Sequence, residues 1–145
     1  GFKLVAHAGE EADFSYIYEA LDLLNINRID HGVQSIKSPE LMQRLKDEQM
    51  PLTVCPNSNI ELRVFDTYKE HNIKELLDYG LNISVNSDDP AYFKGYVNQN
   101  FINLHENLPI TEEDIVKLVK NSFRSAFISD ELKDAYLAKV DLALN

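Results

Sequence analysis

Four short strand-like runs punctuate the first ninety residues, and each ends in a residue that can carry chemistry. Lys3-Leu4-Val5-Ala6 ends at His7, and Arg28-Ile29-Asp30 ends at His31. Leu52-Thr53-Val54 ends at Cys55, and Ile83-Ser84-Val85 runs through Asn86 and Ser87 into Asp88-Asp89-Pro90. The last of these alternates, is β-branched and is stopped by Pro90, which reads as a buried strand, and the other three read as short strands before it. Helical spacing fills the intervals. Phe14, Ile17, Leu21 and Leu24 share one face, and Asn25-Ile26-Asn27 ends that helix. Ser38 with Pro39 and Glu40 reads as an N-cap with proline at the first helical position, opening a helix that carries Leu41, Met42 and Leu45 and stops before Pro51. Asn57-Ser58-Asn59 reads as loop, and Ile73 to Tyr79 as a short helix closed by Gly80. The remainder is helical: Asn98 to Asn107, a helix boxed by Thr111 and Asp114 reaching Ser122, and a last helix capped by Ser129 with Leu132, Tyr136, Leu137 and Val140 as its apolar positions.

The order βαβαβαβα predicts an α/β fold with a parallel sheet covered by helices, plus extra C-terminal helices. His7 to His31 and His31 to Cys55 are each 24 residues, and Cys55 to Asp88 is 33. A (β/α)8 TIM-type barrel spends roughly 30 residues per unit, so four units make half a barrel in a single domain over residues 1–145. Half a barrel has two open sheet edges. A doubly wound sheet is the alternative, although no glycine-rich phosphate turn follows the first strand. The strand-like start close to Gly1 suggests that something upstream is missing.

Composition narrows the partners. A formal charge of −10 and a pI near 4.7 argue against nucleic acid or an anionic membrane. One cysteine permits no internal disulfide, which fits a reducing compartment and a cytoplasmic location. No apolar run is long enough to span a bilayer, and no signal peptide is visible.

His7, Glu10, His31, Asp88 and Asp89 all fall at or just past strand carboxyl ends. In parallel α/β folds that rim is where ligands bind. Adjacent carboxylates at the rim of a buried strand need a cation, and imidazole with carboxylate suits zinc. Glu10 is near enough to His7 to share the site, as a carboxyl kept protonated for general acid work. A second histidine can orient or deprotonate water. The rim suits metal-assisted hydrolysis without naming a substrate.

His7-Ala8-Gly9-Glu10, Arg28-Ile29-Asp30-His31-Gly32, Cys55-Pro56-Asn57-Ser58-Asn59 and Ser87-Asp88-Asp89-Pro90 together resemble the adenosine/adenine deaminase family, in order and spacing. The run from Ser87 through Tyr92, Phe93, Gly95 and Tyr96 resembles the adenine branch. The resemblance implies the carboxyl-terminal half of a barrel that hydrolyses adenine to hypoxanthine and ammonia with one Zn2+ per site. It implies that His7 and Asp88 are zinc ligands and that Glu10 protonates purine N1. His31 would orient the attacking water, and Gly9 and Asp89 would contact the purine, Asp89 at N7. The family's His-x-His pair is absent, so two further ligands are expected from a missing amino-terminal half of the same barrel. That half and the purine are the expected partners, and a homo-oligomer is left open. Deamination of adenosine to inosine is the alternative, as is a non-catalytic piece that packs through its open edges. Cys55 is expected to be a small buried residue, His71 and His105 surface or helix-packing residues. Tyr92, Phe93 and Tyr96 are divided between pocket and packing roles.

Overall fold

The structure is a computed structural model that describes residues 1–144. Its strands are β1 (Val5–Ala8), β2 (Arg28–His31), β3 (Leu52–Val54) and β4 (Ile83–Val85). They pair in parallel and in chain order, β1-β2-β3-β4. A doubly wound sheet reverses its strand order at a switch point. This sheet does not, and the arrangement is four consecutive βα units of a barrel wall. Among the described residues the outer edges of β1 and β4 carry no further strand.

Register explains how the sheet faces two environments. Ala6 pairs with Ile29, Ile29 with Leu52 and Leu52 with Ile83, an apolar row on one face. Leu41, Leu45, Ile73, Leu76 and Leu77 belong to the same core, and Ile29, Leu52 and Ile83 lose all contact with solvent. Each such side chain contributes about 1.5–3 kcal/mol of burial. The adjacent row runs His7, Asp30, Thr53, Ser84. Strand positions off the rim are otherwise mostly apolar, and this row is the exception: alternation sends a polar set to the barrel's inner face.

The helices are α1 (Ser15–Asp22), α2 (Pro39–Asp47), α3 (Pro56–Glu61), α4 (Ile73–Tyr79), α5 (Val97–Asn107), α6 (Glu112–Arg124) and α7 (Asp130–Ala143). Three caps form as the sequence predicts. Ser38 Oγ accepts the Leu41 amide, Thr111 and Asp114 complete a capping box, and Ser129 Oγ accepts the Leu132 amide. Gly80 closes α4 at φ +101, a left-handed C-cap suited to glycine.

Two expectations fail locally. Helix α1 ends at Asp22, so Leu24 is exposed, and Ile26 in the following turn is the buried residue instead. Asn57-Ser58-Asn59 is helical, not loop, because Pro56 starts α3 and buried tertiary bonds hold it. Asn100 Oδ1 accepts the Asn57 amide at 2.8 Å, and Asn57 Oδ1 accepts from Tyr68 Oη at 2.6 Å and from Asn103 Nδ2 at 3.0 Å. These bonds override the weak helix propensity of asparagine and serine. On the far side, Asn121 of α6 donates to the Ile83 carbonyl at 2.9 Å, satisfying an acceptor of β4. No helix among the described residues is long and apolar enough to cross a membrane.

Candidate active site

The carboxyl ends of the four strands deliver their polar residues to one rim. His7 is the third residue of β1 and His31 the last of β2. His31 Nε2 and His7 Nδ1 lie 3.1 Å apart, so one ring donates to the other. His31 is buried at φ +72, and Gly32 follows at φ +75. Left-handed backbone at a non-glycine residue is a strain that persists where the surroundings impose it, often at functional sites. Here the Gly32 amide bonds the Ala8 carbonyl at 3.0 Å and the Gln34 amide bonds the Gly9 carbonyl at 2.9 Å, tying the β2 turn to the β1 turn.

Glu10 sits where those turns meet. Its Oε1 accepts from Asn59 Nδ2 at 2.7 Å and from Ser58 Oγ at 3.4 Å. The same oxygen is 3.1 Å from His31 Nδ1. That ring nitrogen makes no aligned hydrogen bond, and so is a buried polar atom without a hydrogen-bond partner. Burial pushes the Glu10 carboxyl above its usual range, with Asp88 adding to the shift and the Asn59 donor opposing it. Burial and the neighbouring His7 push His31 the other way, below its usual range, so it stays neutral near pH 7. A protonatable acid therefore lies beside a neutral base, the division of roles that acid–base chemistry needs.

Asp88 stands at φ +54 on the turn after β4, exposed. It shares with His7, Asp30, His31 and Cys55 a cavity of about 230 Å³. Donor atoms of His7, Glu10 and His31 lie within 4.8 Å of one another, and so do those of His31, Cys55 and Asp88. His7 and Asp88, the expected ligand pair, thus line one cavity with His31 between them but share neither tight cluster. Imidazole nitrogens, carboxylate oxygens and an unpartnered buried nitrogen are chemistry that fits a divalent metal. Cys55 is buried, as expected of a small core residue, and burial holds its thiol well above the usual range.

Asp89 is not drawn into either cluster. It is exposed, and its carbonyl accepts the Phe93 amide at 2.8 Å in the turn that follows. Tyr92 and Tyr96 are exposed and Phe93 is buried. Gly9 is buried at φ +67, where an added Cβ would collide with Ile17 Cδ1. We expect Gly9→Ala to lower unfolding free energy by about 2–4 kcal/mol, from left-handed strain plus overpacking against Ile17. Urea denaturation measures it, and a change under 0.5 kcal/mol, roughly the scatter of surface substitutions, would contradict the packing described.

Sequence reasoning missed three groups. Asn59 and Ser58 hold Glu10, and the signal was their place directly after the third strand. Asp30 accepts from Thr53 Oγ1 at 2.6 Å and lies 3.7 Å from His7 Nε2, a partner that period-two alternation in β2 could have flagged. Of the two places open to His71, surface or helix packing, the structure gives the buried one, with a link to Asn59 that the sequence did not signal, and burial pushes its pKa down to about 3. The unfolded chain, with an ordinary histidine pKa near 6.5, binds the proton that the folded chain refuses. Stability therefore rises with pH between about 3 and 6.5, and His71 alone should remove on the order of 2 kcal/mol between pH 8 and pH 5. Urea unfolding at both pH values tests it, and the difference should shrink in His71→Phe.

Sequentially ordered parallel strands with this rim define part of a TIM-type barrel whose carboxyl-terminal face carries an acid, a base and metal-compatible donors. The adenosine deaminase family model matches residues 1–143, and the chain belongs to that family. It is 86% identical over 144 residues to an adenine deaminase of Psychrobacter cryohalolentis, covering 99% of this chain and 43% of that protein. It is 57% identical over 141 residues to an adenine deaminase of Hahella chejuensis, covering 97% of this chain and 42% of that one. Among solved structures it superposes on an adenine deaminase from Arthrobacter aurescens with a TM-score of 0.97 at 48% identity, covering 99% of this chain and 44% of that chain. An amidohydrolase from Burkhoderia ambifaria solved with bound Zn matches with a TM-score of 0.90 at 28% identity, covering 99% and 40%. The chain thus spans about two fifths of the length of the relatives it matches.

Proposed function

We propose that residues 1–145 act as one unit, the carboxyl-terminal half of the barrel of a longer adenine deaminase that converts adenine and water to hypoxanthine and ammonia. The observation that carries this reading is Glu10: a carboxyl raised by burial, fixed beside neutral His31, on the rim that also bears His7 and Asp88. The 86% identity to an adenine deaminase supports the choice of adenine over adenosine. The single cysteine, buried and unpaired, supports a cytoplasmic setting.

Zinc is the ion we assign, from the imidazole and carboxylate donors, with His7 and Asp88 as its ligands here and the others from the rest of the barrel. When bound, zinc polarises water so that it deprotonates near neutral pH. His31, neutral at that pH, accepts the proton of the attacking water. Glu10 releases its proton to ring nitrogen N1, which draws electron density from C6 and makes that carbon open to attack. The C6–N bond then breaks as the leaving amino group takes the proton held by His31 and departs as ammonia, while the C6 hydroxyl gives its proton back to Glu10 and becomes the carbonyl of hypoxanthine. Asp89 accepts from N7–H, and Gly9, which lines a cavity with His7 and Glu10, offers its backbone to the ring. With zinc-loaded full-length protein in 18O-water, adenine should yield hypoxanthine carrying one 18O. Adenine recovered unchanged would overturn the reading.

A further inference from the structure

Glu10 is held from behind by a chain of hydrogen bonds that reaches well away from the rim. The Ile73 amide, at the start of α4, donates to His71 Nδ1 at 3.1 Å. That bond leaves Nδ1 as the acceptor, so the neutral ring carries its hydrogen on Nε2. His71 Nε2 lies 3.2 Å from Asn59 Oδ1 and donates to it. This fixes the Asn59 amide with its nitrogen toward Glu10, where Nδ2 donates to Oε1 at 2.7 Å. His71 and Asn59 are both buried, Asn59 completely, and the His71 ring packs against Phe65 with centroids 4.5 Å apart. Burial keeps His71 neutral far below pH 7, so the direction of each bond is constant across the working range.

We propose that His71 and Asn59 are positioning residues for Glu10, a buried relay from the Ile73 amide that occupies Oε1 and so reserves Oε2 for the proton given to the substrate ring. The proposal rests on the deaminase reading above. As the Oε2–H bond breaks and the N–H bond forms, the electron pair stays on the Glu10 carboxylate. The Asn59 donor, with Ser58 beside it, meets that growing charge on Oε1. An oriented donor of this kind acts on the transition state more than on bound substrate. His71 touches neither substrate nor metal-compatible donors, and its effect passes entirely through Asn59.

The test uses zinc-loaded full-length protein and four variants. His71→Leu removes the donor, His71→Gln restores an N–H near the Nε2 position, Asn59→Leu removes the link, and Asn59→Asp keeps its shape but presents an oxygen to Glu10. We expect His71→Leu to lower kcat about 10-fold and both Asn59 variants about 10- to 100-fold, with KM within threefold, as for supporting groups that hold a catalytic one. His71→Gln should recover most of the kcat lost in His71→Leu. A purely structural role predicts no such recovery, and would move melting temperature and KM with kcat. Imidazole 15N shifts of His71 supply a readout independent of turnover: the Nε2–H tautomer should persist unchanged from pH 5 to pH 8. An Nδ1–H tautomer, titration in that range, or undiminished kcat in Asn59→Asp would each overturn the relay. Failure of the parent to deaminate adenine would instead overturn the deaminase reading, while the 15N shifts would still decide the geometry.

Discussion

Glu10→Gln in the full-length enzyme should leave adenine binding nearly intact and lower kcat by 10²- to 10⁴-fold, the range general acid catalysis typically covers, or more. Glutamine keeps the shape and can still meet Asn59 and His31, so the pocket should close on the ring as before. It has no proton to give to N1. Without that proton C6 keeps its electron density, and attack by water stalls at the step where Glu10 matters most. The loss therefore belongs in kcat, with KM little changed. Steady-state kinetics on zinc-replete protein measures it. If Glu10 only opened the first helical segment beside Glu11, kcat would stay within a few-fold of the parent, and that result would end the mechanism proposed.

Asp88→Ala should remove zinc-dependent turnover and reduce bound metal, with little loss of fold. Its side chain is exposed and makes no hydrogen bond that supports the core among the described residues, so folding has little to lose. The one structural cost is its backbone: alanine at φ +54 should be worse than aspartate by no more than about 1–2 kcal/mol. Asp88→Asn separates the two effects, since asparagine tolerates that φ but carries no charge. Metal analysis after gel filtration, with turnover on the same sample, decides. Metal content and activity that both survived in Asp88→Ala would show that the ligand assignment is wrong.

The strands were readable because each is a short run stopped by a nearby glycine or proline, the third and fourth of them β-branched, and because their spacing fits βα units. The rim residues followed from the strands: once His7, His31, Cys55 and Asp88 end four parallel strands, they must gather on one edge. What holds the rim was not readable. Asn57, Ser58 and Asn59 have low helix propensity, and their helix depends on bonds from Asn100, Asn103 and Tyr68, all more than ten residues away. His71 was left between a surface and a helix-packing place because nothing near it in sequence signals burial. Its partners are Asn59, twelve residues back, and an amide at the start of α4. Leu24 fits the periodic face of α1, but the helix stops short of it, and periodicity cannot say where a helix ends. The polar inner row of Asp30, Thr53 and Ser84 was visible as alternation, but short strands read more readily as apolar throughout.

Ammonia release from adenine and from adenosine, measured side by side with zinc-replete full-length protein, tests the functional assignment most directly. Adenine should be turned over, and with a kcat/KM well above that of adenosine. Equal or better turnover of adenosine would contradict the assignment to adenine, and no release from either would contradict deamination altogether.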